Sequence, residues 1–269
     1  MVLEISLKFF FLTNINFTML FLMALLKKLA MNLSKDTFVV IPCAGKGTRS
    51  KLPYPKSLYK IGNTTILNRI IKSFNKYNFN FKIVINKKNM QLFKSETKKI
   101  SSKIEYLYQN IALGMGDAVL KITKSKDYRK MENIILIWGD VPFIKKSTIN
   151  ELIKNHFKNN NDFTFISGIT KYPYTYVQRD KKNKVFRIKE MKNFKKKIKY
   201  GERDIGIFLF KKNYTIKILK KMKIKHKNNK EISFLNVIEY LNKENLKIEA
   251  INIATPREMK SLNYLKDLN

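Results

Sequence analysis

From residue 37 onward the chain alternates between two rhythms. Thr37–Cys43 (TFVVIPC) and Asn133–Trp138 (NIILIW) are short, nearly unbroken apolar runs, the pattern of strands buried on both faces. Between them, Ile66, Leu67, Ile70, Ile71 and Phe74 recur at helical spacing within 65–77. Phe81–Ile85 and Ile104–Tyr108 read as further strands, and Asp117–Ile122 as the opening of a second helix. Such alternation predicts a parallel sheet with helices on both faces. Past Asp162 the rhythm changes. Phe163–Ile169, Tyr174–Arg179 and Val185–Ile188 read as successive strands, the last two joined by a Lys-Asn turn at 181–184, which adds a β lobe. Ile205–Phe210 is another strand, a helix is expected near Ile232–Leu241, and Lys247–Ile253 is a last strand before a closing helix from Pro256. With no repeat and no linker, 37–269 reads as one continuous α/β domain with an inserted β lobe.

Residues 1–36 stand apart. No charged side chain occurs from Phe9 to Leu26, while Lys8 and Lys27-Lys28 flank the run. A spanning helix needs about 20 apolar residues, and Thr13, Asn14, Asn16 and Thr18 weaken this one. A secretory signal is poorly supported, since Lys8 is the only early cation and no small-x-small site precedes Ala30. Two readings stay open: a start at Met31 with the preceding stretch mis-assigned, and a weak membrane anchor through residues 9–26.

Composition narrows the chemistry. The 269 residues are 44% hydrophobic, which excludes disorder for most of the chain. One cysteine, Cys43, excludes an intramolecular disulfide, and two histidines nearly exclude a Cys/His metal centre. The net charge of +35 first suggests a polyanion as partner. Yet arginine supplies only seven of the 55 basic residues, and the lysines are spread among Asn and Ile along the whole chain. That is the pattern of a compositional bias; specific nucleic-acid readers cluster Arg with aromatics. A reducing, cytoplasmic setting and an anionic small-molecule substrate fit the balance.

The most informative segment is Ile41-Pro42-Cys43-Ala44-Gly45-Lys46-Gly47-Thr48-Arg49-Ser50, followed by Pro53-Tyr54-Pro55-Lys56. Gly45 and Gly47 let a loop turn tightly after a buried strand and offer backbone N–H groups to an anion. Arg49 and Lys56 add two cations suited to a polyphosphate. The spacing matches neither a Walker A loop nor a dinucleotide fingerprint.

This A-G-K-G-T-R loop with the following P-K-S-L resembles the signature of the sugar-nucleotide pyrophosphorylases, a family of nucleotidyltransferases. Gln109-Asn110-Ile111-Ala112-Leu113-Gly114-Met115-Gly116-Asp117-Ala118 is similar to the base- and sugar-contacting segment of N-acetylglucosamine-1-phosphate uridylyltransferases. Ile137-Trp138-Gly139-Asp140-Val141-Pro142-Phe143 resembles their strand ending in a metal-binding Asp, and Asn252-Ile253-Ala254-Thr255-Pro256 the element with the second metal ligand. The resemblance spans residues 36–266 and implies a Rossmann-like, mixed but mostly parallel sheet.

The resemblance also assigns roles. Ala44, Gly45 and Gly47 would line the nucleotide's phosphates, with Arg49 and Lys56 as catalytic cations. Gln109 and Gly114 would read the base. Trp138, Glu190 and Asp204 would bind the sugar, and Asp140 with Asn252 would hold Mg²⁺. The implied reaction joins an NTP, UTP in the uridylyl case, to a sugar 1-phosphate and releases pyrophosphate. Because the attacking group is already a phosphate oxyanion, positioning and charge neutralisation suffice, with no strong general base. Ala112, Met115, Trp138 and Asp204 depart from the uridylyl pattern, which has Gln, Thr, Tyr and Asn there. These departures keep two alternatives open: a cytidylyl- or thymidylyltransferase acting on another sugar or alcohol phosphate, and a relative that binds nucleotide-sugar without turnover.

Overall fold

A computed structural model describes residues 35–45, 47, 50–191, 198–225, 231–264 and 267. The run at 9–26, the Met31 start and Arg49 lie outside the described residues. Eleven strands are present among the described residues: β1 Thr37–Pro42, β2 Lys60–Ile61, β3 Thr64–Thr65, β4 Asn80–Ile85, β5 Ile104–Tyr108, β6 Asn133–Ile137, β7 Phe163–Lys171, β8 Thr175–Arg179, β9 Val185–Glu190, β10 Tyr200–Lys211 and β11 Ile248–Asn252. The helices are α1 Ile66–Ser73, α2 Met90–Thr97, α3 Gly114–Leu120, α4 Lys146–Lys158, α5 Lys212–Lys225 and α6 Val237–Lys243.

Seven strands form one sheet in the order β11-β7-β10-β6-β1-β4-β5. β5, β4, β1 and β6 are mutually parallel, β10 runs antiparallel between β6 and β7, and β11 is parallel to β7. The mostly parallel mixed sheet is as expected. Period-2 alternation divides β1 between two cores. Phe38 and Val40 pack with Val119 of α3, Leu219 of α5 and Ile238 of α6. Val39 and Ile41 pack with Ile70 of α1, Phe93 of α2 and Leu152 of α4. Both faces are therefore helix-covered, which is why β1 and β6 are apolar at every interior position.

Three expectations need correction. The β lobe is smaller than predicted: Phe163–Lys171 joins the main sheet, and only β8 and β9 form a separate two-stranded ribbon. The closing helix from Pro256 is a single turn, with Met259 N donating to Thr255 O. Glu258 Oε2 accepts from Thr255 N and Oγ1 and starts that turn, but two tertiary bonds capture Leu262 and draw the chain away. The helix predicted over 65–77 stops at Ser73, and Phe74–Tyr77 are turns. Among the described residues no helix is long and apolar enough to cross a membrane.

On α4, His156 is 1% exposed, with Nδ1 2.9 Å from Thr164 Oγ1. Burial, helped by the Lys211 charge, pushes its pKa down from 6.5 to about 4. The folded state thus prefers neutral imidazole, and that preference contributes stability fully above pH 6.5. It is lost as pH falls towards 4, a difference of about 3 kcal/mol. Denaturant titrations from pH 7 to 4 should show this loss, and His156→Gln should flatten it. An equal pH slope in both proteins would remove His156 as its source.

Candidate active site

β1 lies between β4 and β6, so the connections leave it in opposite directions and open a crevice beyond the C-terminal ends of β1 and β6. Ligands of open α/β sheets bind at such switch points. Both information-rich segments end there, because each is the loop that follows one of these strands.

The β1 loop begins with Cys43 N donating to Val84 O at 2.7 Å. Cys43 itself is buried, and its pKa is pushed up to about 12 by desolvation, so it is a core thiol. Gly47 has φ +61°, and a Cβ there would stand 2.9 Å from Lys56 Cγ. Only glycine lets the loop lie against the lysine. Ser50 N and Oγ both donate to Gly47 O, closing the turn at 3.0 and 2.7 Å.

Lys56 is thereby aimed at Asp140, beyond the end of β6. Its Nζ donates to Asp140 Oδ2 at 2.6 Å and to Leu262 O at 2.9 Å, and the pair is only about one-fifth exposed. Leu262 N donates to Asp140 O at 2.9 Å, so the C-terminal segment straps this corner. Asp140 Oδ1 is buried and has no hydrogen-bond partner. An ionised oxygen left unpaired in a partly desolvated corner is costly, and a hard cation is the partner that chemistry favours. Asn252 ends β11, exposed, and no hydrogen bond links its side chain to Asp140. Among the described residues no three acidic, His or Cys groups gather as a preformed metal cluster.

Gln109 follows β5 and is 4% exposed. Its Nε2 donates to Gly114 O at 3.1 Å and to Asp117 Oδ2 at 2.9 Å. Both partners only accept, because Asp117 is held ionised. Burial alone would raise its pKa, but hydrogen bonds from Lys223, Gln109 and Lys121 bring it below the usual range. The amide orientation is therefore fixed, and Oε1 is the atom left for a ligand. Gly114 packs on the Ile232 backbone, and Gly116 N and Ile232 N complete that contact.

The remaining candidates lie on the β10 side. Trp138 N donates to Gly206 O at 2.9 Å, and Gly206 adopts φ +81° with its Cα under the indole. Asp204 is fully buried, accepting from Thr175 Oγ1 at 2.7 Å and from Gly206 N at 3.1 Å. Its neighbour Arg203 is 6% exposed, with Cζ 3.7 Å over the Tyr174 ring. Glu190 pairs with Thr175 across the β8–β9 ribbon, and Ser233 Oγ donates to its Oε1 at 2.6 Å. The structure thus joins Gly47, Lys56 and Asp140 in one cluster and Gln109 with Gly114 in another. Glu190, Asp204 and Trp138 are linked through Thr175 and Gly206. Arg203, Tyr174 and Asp117 were not singled out from the sequence.

Burial raises the pKa of Asp204, opposed by the Arg203 charge and by its hydrogen bonds. Ionisation at neutral pH therefore opposes folding: this contribution is present at low pH and fades as pH rises past the ordinary carboxylate range. Asp204→Asn can still accept from Gly206 N and donate to Thr175 Oγ1. It should raise Tm at pH 7 and leave it little changed near pH 4. A lower Tm at pH 7 would show that the charge is needed for folding.

A tight glycine turn that delivers a lysine to a carboxylate at the switch point suits transfer of a phosphate-bearing group, and comparison with known proteins gives that class. Residues 39–190 match the MobA-like NTP transferase domain, more than half of the chain. The chain belongs to that family, and its relatives place it with the sugar-nucleotide pyrophosphorylases. The bifunctional protein GlmU of Buchnera aphidicola subsp. Schizaphis graminum is 33% identical over 240 residues, covering 86% of this chain and 49% of that protein. GlmU of Thermosipho melanesiensis is 30% identical over 203 residues, 75% of this chain and 43% of that protein. The chain thus spans about half the length of the curated relatives it matches. The inositol-1-phosphate CTP transferase from T. maritima shares the fold, with a TM-score of 0.67 at 15% identity, over 88% of this chain and 92% of that one.

Proposed function

We propose that the protein transfers a nucleoside monophosphate from an NTP to a sugar 1-phosphate, releasing pyrophosphate, in a cytoplasmic setting. UTP and N-acetylglucosamine 1-phosphate are the substrates of first choice. The observation that carries this reading is the Lys56–Asp140 pair beside Gly47, with Asp140 Oδ1 unpartnered at the sheet's switch point.

Gly47 and the loop amides position the phosphates of the NTP, with Ala44, Gly45 and Arg49 assigned to the same loop. Lys56 neutralises charge that builds on the α-phosphate and the leaving pyrophosphate. Gln109 Oε1 accepts from an N–H on the base edge. Trp138, Glu190 and Asp204 are assigned to the sugar. Asp140 Oδ1, with the Asn252 amide oxygen, has the hard-oxygen chemistry that would hold Mg²⁺. Bound there, the ion supplies Lewis-acid neutralisation of phosphate oxygens.

The second reading is a cytidylyltransferase on another alcohol phosphate. It is favoured by the departures at Ala112 and Met115 and by the fold likeness to a CTP transferase. A cytosine amino group would serve Gln109 Oε1 as well as a uracil imino group does. A pyrophosphate-release screen of the four ribo-NTPs and dTTP against a panel of sugar and alcohol phosphates decides. Turnover with UTP and an amino-sugar phosphate supports the first reading, and CTP with a non-sugar phosphate the second. Release with no pair overturns both.

A further inference from the structure

Three cations are buried among the described residues, and they are held in different ways: Lys212 donates to Tyr128 O and lies over that residue's ring. Lys82, 2% exposed, meets both Glu105 and Asp127. Arg203, 6% exposed, has no carboxylate within ion-pair distance among the described residues. Its Nε donates to Asp204 O at 2.9 Å, its Nη2 donates to Tyr174 Oη, and the guanidinium stacks on the Tyr174 ring. Nη1 donates to no protein atom and is not fully sealed from solvent.

A guanidinium stripped of water without a counter-ion is expensive, and a cation–π contact offsets only part of the cost. The neighbouring Asp204 feels the Arg203 charge, but its oxygens accept from Thr175 and Gly206 and none pairs directly with the guanidinium. The position is informative. Three residues along β10, Gly206 carries Trp138, which precedes Asp140 by two residues. Tyr174 lies beside Ser261, next to the Leu262 carbonyl that binds Lys56. Arg203 therefore stands on the β10 side of the crevice, across β6 from the glycine loop. There an incoming anion would meet the Nη1 donors of a planar guanidinium whose Nε and Nη2 are already anchored.

We propose that Arg203 is the cation that receives an anionic group of the acceptor substrate. The proposal rests on the transferase reading above. The shared chemistry is an oxyanion, either the attacking phosphate or an acidic substituent elsewhere on the same molecule. An unpaired guanidinium kept for binding opposes folding in the empty protein, so function and stability should move in opposite directions on its removal.

The test compares wild type, Arg203→Met and Arg203→Lys by steady-state kinetics and thermal unfolding. Arg203→Met should raise the acceptor KM by roughly 10–150-fold, the value of one charge-assisted contact. The NTP KM should stay within about twofold, and Tm should hold or rise. Arg203→Lys should fall between, having charge without the fork. A rise for neutral and acidic acceptors alike assigns the attacking phosphate. A rise confined to acidic acceptors assigns the substituent. Unchanged acceptor KM, or a lowered Tm with intact affinity, overturns the proposal and leaves Arg203 as a prop for Tyr174. If the wild type releases no pyrophosphate with any pair, the transferase reading fails by itself. Calorimetric titration with inorganic phosphate then judges the cation: weaker binding by Arg203→Met supports it, and equal binding overturns it.

Discussion

Asp140→Asn is expected to lower turnover by about 10³-fold and to move the activity's dependence on free Mg²⁺ to much higher concentration. The two carboxylate oxygens have different surroundings. Oδ2 accepts from Lys56 Nζ, which has three donors and no acceptor, so an amide must place its oxygen there. The amide nitrogen then falls where the unpartnered Oδ1 now stands, presenting N–H to a position suited to a cation. Charge and coordination are lost together. The fold should persist, because the strap onto this corner uses the Asp140 backbone carbonyl, which accepts from Leu262 N. Asn252→Asp should be tolerated far better, since an oxygen donor remains and the residue is exposed. Activity titrated against free Mg²⁺ for both variants, with circular dichroism as the fold control, decides. If Asp140→Asn keeps the wild-type rate and Mg²⁺ dependence, Asp140 is a structural anchor and the metal lies elsewhere.

What the sequence made legible was what is local. Gly47, Lys56 and the strand before them lie within one loop, and Asp140 closes an apolar run whose burial is unmistakable. These positions needed only chain order and the rule that ligands gather at strand C-termini. The failures have physical causes. The closing helix had a start signal in Thr255-Pro256-x-Glu258, and that turn did form. Its end was set by Asp140 and Lys56, more than a hundred residues distant in sequence, which no local pattern carries. Helix α5 was missed because its apolar residues are scattered round the helix among lysines, which leaves a weak amphipathic contrast. In α5 the apolar residues Ile216, Leu219 and Met222 are buried between lysines.

Arg203 had a signal that went unread. In a chain that uses lysine almost wherever it needs a cation, an arginine marks a place where fork geometry matters. Arg179 grips Glu202 with Nε and Nη2 at 2.8 and 2.7 Å, and Arg187 reaches Glu239 at 2.6 Å. Arg69 donates to Ile61 O at 2.6 Å, and Arg257 stacks on Phe143. Arg179 uses a fork and Arg257 a plane that an ammonium lacks. In a lysine-biased composition, then, the rarer cation is the informative one.

Lys56→Met should lower kcat/KM by about 10²–10³-fold, the scale of removing one preorganised charge-stabilising donor. Methionine keeps the length and the packing against Gly47 while deleting both hydrogen bonds of Nζ. Two consequences separate catalysis from scaffolding. Losing the bond to Leu262 O loosens the strap by one contact, about 1 kcal/mol, a modest fall in Tm. Losing the bond to Asp140 frees Oδ2 beside Oδ1, so a carboxylate now lacks both partners in a mostly buried corner. That raises its demand for a cation, and Mg²⁺ should bind the variant more tightly although turnover falls. The pair then acts as one unit: in the double variant Lys56→Met/Asp140→Asn the loss should be close to that of the worse single change, well short of the product of the two. Pyrophosphate release measured across this cycle at saturating Mg²⁺ supplies the answer. Strict additivity would show that lysine and carboxylate serve separate steps, and full activity in Lys56→Met would leave Lys56 as nothing more than the clasp that holds Leu262.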